Sequence, residues 1–139
     1  MLTRELIAQI FTHLESAYPN EGGGFLLGKQ LPEDVVRLER IRPVTNVAAQ
    51  DEQHHRYAMT PADWARLEDE ADGLGLTLIG YYHSHPDSPA IPSEYDRLHA
   101  LPNFHYLIAA VQAAKAVELR AWQLAEDRSA FTELTLTIL

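Results

Sequence analysis

Leu6, Ile7, Ile10, Phe11 and Leu14 recur at helical spacing, so residues 3–16 read as an amphipathic helix that Pro19-Asn20 breaks. Gly22-Gly23-Gly24 leads into Phe25-Leu26-Leu27-Gly28, an apolar run that reads as a buried strand. Residues 35–44 alternate as its partner across a turn near Leu31-Pro32-Glu33-Asp34. Residues 46–56 are polar and read as a loop, with Tyr57-Ala58-Met59 as a short strand after it. Thr60-Pro61-Ala62-Asp63 is a helix start, with a threonine cap, proline in the first position and an acid that reaches back. Trp64, Leu67 and Ala71 form the buried stripe of that helix, and Gly73 ends it. Residues 76–83 form the next strand, 86–92 a rigid loop with three prolines, and 93–100 a short helix. Residues 104–111, 117–124 and 131–139 close the pattern as three strands. No repeat, low-complexity tract or linker interrupts it, so a single domain over residues 1–139 is expected.

Composition narrows the function classes. At 139 residues, 46% hydrophobic and 22% charged, the chain can bury a real core, which sets aside disordered and fibrous classes. A net charge of −9, with Arg37, Arg40, Arg42, Arg120 and Arg128 scattered along the sequence, argues against a nucleic-acid partner. No stretch approaches a membrane span, and Met1-Leu2-Thr3-Arg4-Glu5 passes into an amphipathic pattern rather than an apolar signal core. No membrane partner and a cytoplasmic location are therefore expected. The absence of cysteine removes disulfides, thiolate zinc sites and any cysteine nucleophile.

The chemistry concentrates after the strand at residues 76–83. His83-Ser84-His85 is followed after seven residues by Ser93 and after two more by Asp96. Strand side chains repeat every two residues, so His83 and His85 leave one face and can meet one ion. Two imidazoles and a carboxylate leave a fourth tetrahedral position open, as catalytic zinc requires. Each part has a plainer reading: Ser93 and Asp96 are also a helix-capping pair, and strand histidines are often merely half-buried. Ligand-type residues at two short spacings, joined by a stiff proline loop, favour the metal site. Amide hydrolysis there needs a base, and Glu21, at the mouth of the glycine run, is the best candidate; its alternative is a solvated turn glutamate. The glycines after it would leave space for a substrate chain, which makes Gly23 and Gly24 candidate substrate-binding residues.

The run Pro19-Asn20-Glu21-Gly22-Gly23-Gly24-Phe25-Leu26-Leu27-Gly28, then His83-Ser84-His85-Pro86, then Pro92-Ser93-Glu94-Tyr95-Asp96, resembles the JAMM (MPN-plus) metallopeptidases. Every position of their motif is filled, in order. The resemblance implies an α/β (α+β) fold of the MPN/JAB, cytidine-deaminase-like type: a curved mixed β-sheet flanked by helices, with the site at a sheet edge. It implies His83, His85 and Asp96 as ligands of one zinc ion, Glu21 as general acid/base and Ser93 as oxyanion donor. Many relatives carry cysteine or alanine near Gly23, and glycine there is expected to loosen the packing.

The same resemblance implies the substrate. Such enzymes cleave peptide or isopeptide bonds after the Gly-Gly tail of ubiquitin-like proteins, and the short stretch from His85 to Phe104 leaves little room for a ubiquitin-gripping insertion. The chain looks most like the compact prokaryotic branch, which implies a sulfur-carrier protein whose tail enters a narrow glycine-lined groove. The alternatives are a deubiquitinase-like isopeptidase and, from another class, a non-catalytic MPN scaffold module. A zinc deaminase is disfavoured because P-C-x-x-C is absent. Asp87 and Ser88 lie in the loop over the site and are candidates for substrate contact. His54 and His55 read as loop residues, His99 and His105 as structural, Trp64 as core, and Tyr81 and Tyr82 as core and sheet-face residues.

Overall fold

The computed structural model describes residues 1–44 and 61–139, apart from the side chains of residues 61–64 and 99. The expectations for His54, His55, residues 46–56, the strand at Tyr57 to Met59 and the side chains of Trp64 and His99 lie outside the described residues. Helix α1 (Arg4–Ala17) begins at Thr3, whose hydroxyl oxygen accepts from Leu6 N, and buries Leu6, Ile10 and Leu14. Strands β1 (Gly23–Leu31) and β2 (Val35–Pro43) form the expected hairpin. Helix α2 (Pro61–Gly73) buries Leu67 and Ala71. Then follow β3 (Thr77–Pro86), α3 (Glu94–His99), β4 (His105–Gln112), β5 (Lys115–Leu124) and β6 (Phe131–Leu134). No described helix is long and apolar enough to cross a membrane.

The sheet runs β2-β1-β3-β4-β5-β6, antiparallel except for the β3–β4 pair. It is therefore a mixed sheet, as expected. Side-chain alternation splits it between two layers. Leu26, Tyr82, Leu107 and Ala109 pack with Leu6, Ile10 and Leu14 of α1, while Phe25 and Leu27 pack with Leu67 and Ala71 of α2. The strands fit closely at β3–β4, where a Cβ on Gly80 would stand 1.7 Å from the His105 carbonyl oxygen.

Two expectations are corrected. The last strand ends at Leu134 rather than running to the terminus: beyond it the chain leaves β5, and Ile138 bridges Leu2 beside α1. The histidine strand is third of six, so the site lies at the carboxyl end of an interior strand and not along a sheet edge. The parallel β3–β4 pair explains this, because its crossover must carry the chain over the end of β3, and α3 lies on that crossover.

Candidate metal centre

β3 runs through the whole histidine motif, so His83 and His85 project together from one face and are buried, with ring centroids 5.0 Å apart. Asp96 reaches them from the first turn of α3. One carboxylate oxygen lies 2.9 Å from His85 Nε2 and the other 3.6 Å from His83 Nε2. The ligand atoms of the three residues all lie within 4.8 Å of one another. Two ligands on a tetrahedral ion at bond lengths near 2.1 Å stand about 3.4 Å apart. The 2.9 and 3.6 Å separations bracket that value, and the donor set of two imidazoles and a carboxylate suits zinc. His85 Nδ1 lies 2.9 Å from the Pro89 carbonyl, which can only accept, so this nitrogen carries the proton and Nε2 is turned toward the cradle.

Glu21 arrives from the segment before β1. Its carboxylate lies 3.5 Å from His83 Nδ1, while Asp96 approaches the other ring nitrogen, Nε2. Ser84 explains how residues so distant in sequence meet. It points to the opposite face from the histidines, fully buried, and its Oγ accepts from Gly22 N at 2.8 Å while its own N donates to Gly22 O at 3.0 Å. The two bonds bind the backbone next to Glu21 to the backbone between the histidines.

Electrostatics follow from burial and proximity. Desolvation, and then the Asp96 charge, push the Glu21 carboxyl up to about 9. Burial opposes ionisation of Asp96, but His83, His85 and the Ser93 backbone outweigh it and hold the acid well below its usual range. Burial also pulls both imidazoles down; it wins at His83, while the hydrogen bond and charge of Asp96 win at His85 and raise it. A dication held by His83, His85 and Asp96 would reverse the field felt by Glu21 and favour its carboxylate.

The structure places the other candidates as follows. Ser93 is the N-cap of α3, and both bonds of its capping box with Asp96 are present, Asp96 N to Ser93 Oγ at 3.0 Å and Ser93 N to Asp96 Oδ2 at 2.9 Å. The capping reading holds: the box aims the Asp96 carboxylate, and the accepting hydroxyl keeps its own proton to donate. Asp87 has both oxygens engaged, one by Tyr18 OH at 2.6 Å and the other by Ala113 N at 3.1 Å, so its carboxylate ties down the loop. Ser88 stays exposed beside it.

Gly23 and Gly24 require correction. Both are buried in β1, and a Cβ on Gly23 would meet Tyr81 OH at 2.6 Å and Tyr82 O at 2.7 Å. A Cβ on Gly24 would meet Arg42 O at 2.5 Å and the Tyr82 ring at 2.6 Å. The missing side chains make room for this protein's own tyrosines and backbone, not for a substrate groove, and the packing at Gly23 is tight rather than loosened. His105 lies half-buried on β4. Ser84 and the Pro89 carbonyl were missed in the sequence; period-two alternation would have turned Ser84 away from the histidines, but nothing local indicates its partner.

Residues 3–125 match the family described as prokaryotic homologs of the JAB domain. The desampylase of Haloferax volcanii is 35% identical over 91 residues, 65% of this chain and 62% of that protein, so the match spans less than two thirds of that relative. A Thermus thermophilus protein named as a probable TtuB-protein conjugate cleaving protease is 29% identical over 113 residues, 81% of this chain and 71% of that one. Among solved structures, a Salinibacter ruber protein is 36% identical with a TM-score of 0.77, covering 99% of this chain and 90% of that one. The histidine–aspartate cradle, the mixed sheet that carries it and a match over most of the sequence agree: the chain belongs to the prokaryotic JAB family of JAMM/MPN proteins.

Proposed function

We propose that the protein is a zinc-dependent hydrolase that cleaves the peptide or isopeptide bond after the C-terminal Gly-Gly of a ubiquitin-like, sulfur-carrier type protein. The convergence of His83, His85 and Asp96, with Glu21 against His83, is the observation that carries the reading. His83, His85 and Asp96 would hold the ion, which supplies Lewis acidity toward water and the scissile carbonyl. Glu21 takes a proton at its carboxylate from the attacking water and returns it to the leaving amine. Ser93 donates its hydroxyl to the developing oxyanion. The hydrogen bond from His85 Nδ1 to Pro89 O holds one imidazole in the tautomer a ligand needs.

The names of the relatives, a desampylase and a conjugate-cleaving protease, favour the isopeptide form of that bond over the peptide form. Mass spectrometry separates the two. Zinc-loaded protein is incubated with a carrier extended through its Gly-Gly terminus and, separately, with a carrier joined to a lysine. Release of the free extension supports processing, and release of the intact lysine-bearing protein supports deconjugation. Neither product, from protein that has taken up zinc, would favour a scaffold role and contradict the proposal.

A further inference from the structure

Helix α3 has six residues, too few to hold a helix in water unaided, yet it presents Asp96. Its one aliphatic side chain, Leu98, is 57% exposed and does little to anchor it. Its N-terminal end is closed from within by the Ser93–Asp96 box. Its C-terminal end is closed from outside by one residue. Arg128, in the turn between β5 and β6, donates from Nη1 to Ala100 O at 2.7 Å. From Nη2 it donates to Arg97 O at 3.1 Å and Leu98 O at 2.9 Å. Arg97 Nη1 answers with a bond to Arg128 O at 2.9 Å, and Glu94 pairs with the Arg97 guanidinium to offset the like charges.

Two of the last carbonyls of α3 and that of its C-cap Ala100 are thus satisfied by one planar cation, at the end where the helix dipole favours positive charge. The turn is built to deliver it. Arg128 has φ +64°, uncommon outside glycine, and its N–H is bonded to Ala125 O at 2.9 Å. Position 128 also falls beyond residues 3–125, the span that matches the family.

We propose that Arg128 is a positioning residue for the metal centre: by locking α3 to the β5–β6 turn it fixes where Asp96 stands relative to His83 and His85. This rests on the reading of those three residues as metal ligands. Full-length Arg128→Ala and Arg128→Lys are compared with wild type and Asp96→Ala by three measurements. These are zinc affinity against a chromophoric chelator, the visible spectrum of the cobalt-loaded protein, and amide exchange in chelator. In Arg128→Ala, zinc affinity is expected to fall about 10–100-fold. The cobalt spectrum is expected to move toward that of Asp96→Ala.

Exchange should quicken about tenfold or more at Arg97 and Ala100, whose N–H groups bond Ser93 O and Asp96 O, while β4 stays as protected as in wild type. Lysine should restore part of each effect, because it keeps the charge and can reach one carbonyl but lacks the fork. Unchanged affinity, spectrum and exchange would overturn the proposal. So would an equal loss of protection through β4, since Arg128 would then serve overall stability. If wild type itself takes no zinc, the metal reading falls, and exchange at Arg97 and Ala100 still decides whether Arg128 holds α3.

Discussion

Ser84 sits between two ligand candidates and faces away from both, and its Oγ is the partner of a buried backbone donor, Gly22 N–H. Ser84→Ala leaves that donor unsatisfied and is expected to cost about 1–3 kcal/mol in denaturant unfolding. Because the bond also fixes the backbone beside Glu21, turnover should fall more than KM rises; an unchanged kcat would refute that link. Gly23→Ala drives a Cβ toward Tyr81 OH and should destabilise by about 1–3 kcal/mol, with partial recovery when combined with Tyr81→Phe. Additive losses in thermal melts of the two single variants would show that the hydroxyl is not the obstacle. Ser93→Ala removes a cap and, under the proposed chemistry, an oxyanion donor, so a melting loss of about 1 kcal/mol should accompany a rate loss of about 10²–10³. Ser93→Thr should retain both. The ligand candidates were legible because short spacing and period-two alternation fix their geometry within one strand and one helical turn. The task of Gly23 was not legible, because the tenant of its empty space is a tyrosine from a neighbouring strand.

The loop between β3 and α3 is held as an element rather than by any one residue. Tyr18 and Ala113 N fix Asp87, His85 Nδ1 fixes Pro89 O, and Trp122 Nε1 donates to Ala90 O at 3.1 Å. Trp122→Phe keeps an aromatic ring but loses the last bond, and should lower stability by about 1 kcal/mol at the denaturant midpoint. A variant as stable as wild type would remove Trp122 from that role. The helices were readable from their apolar stripes, and α3 from its cap. The early end of β6 was not, because pairing with the N-terminal segment captures an alternating sequence that would otherwise extend the sheet.

Across the whole molecule, titration of the site couples to folding. In chelator, Glu21 and His85 both have raised folded-state pKa values, so the fold holds their protons more tightly than the unfolded chain does. The Glu21 contribution is lost as pH rises from the ordinary carboxylate range toward about 9, and that of His85 as pH rises above the ordinary histidine range. The lowered pKa of His83 acts below that histidine range, and the half-buried Met1 amine opposes only in part. Metal-free protein should therefore be less stable near pH 9 than near pH 6.5, and zinc should flatten or reverse the slope, since it favours neutral imidazole and ionised carboxylate. A metal-free stability curve rising across that interval would contradict the assigned shifts. The most direct test pairs zinc content with cleavage of a Gly-Gly-linked carrier fusion in wild type and Glu21→Gln. One zinc per chain in both proteins, with turnover lower by about 10²–10⁴ in the variant, is the expected result. Equal turnover at equal zinc would contradict the role of Glu21 and with it the proposed chemistry.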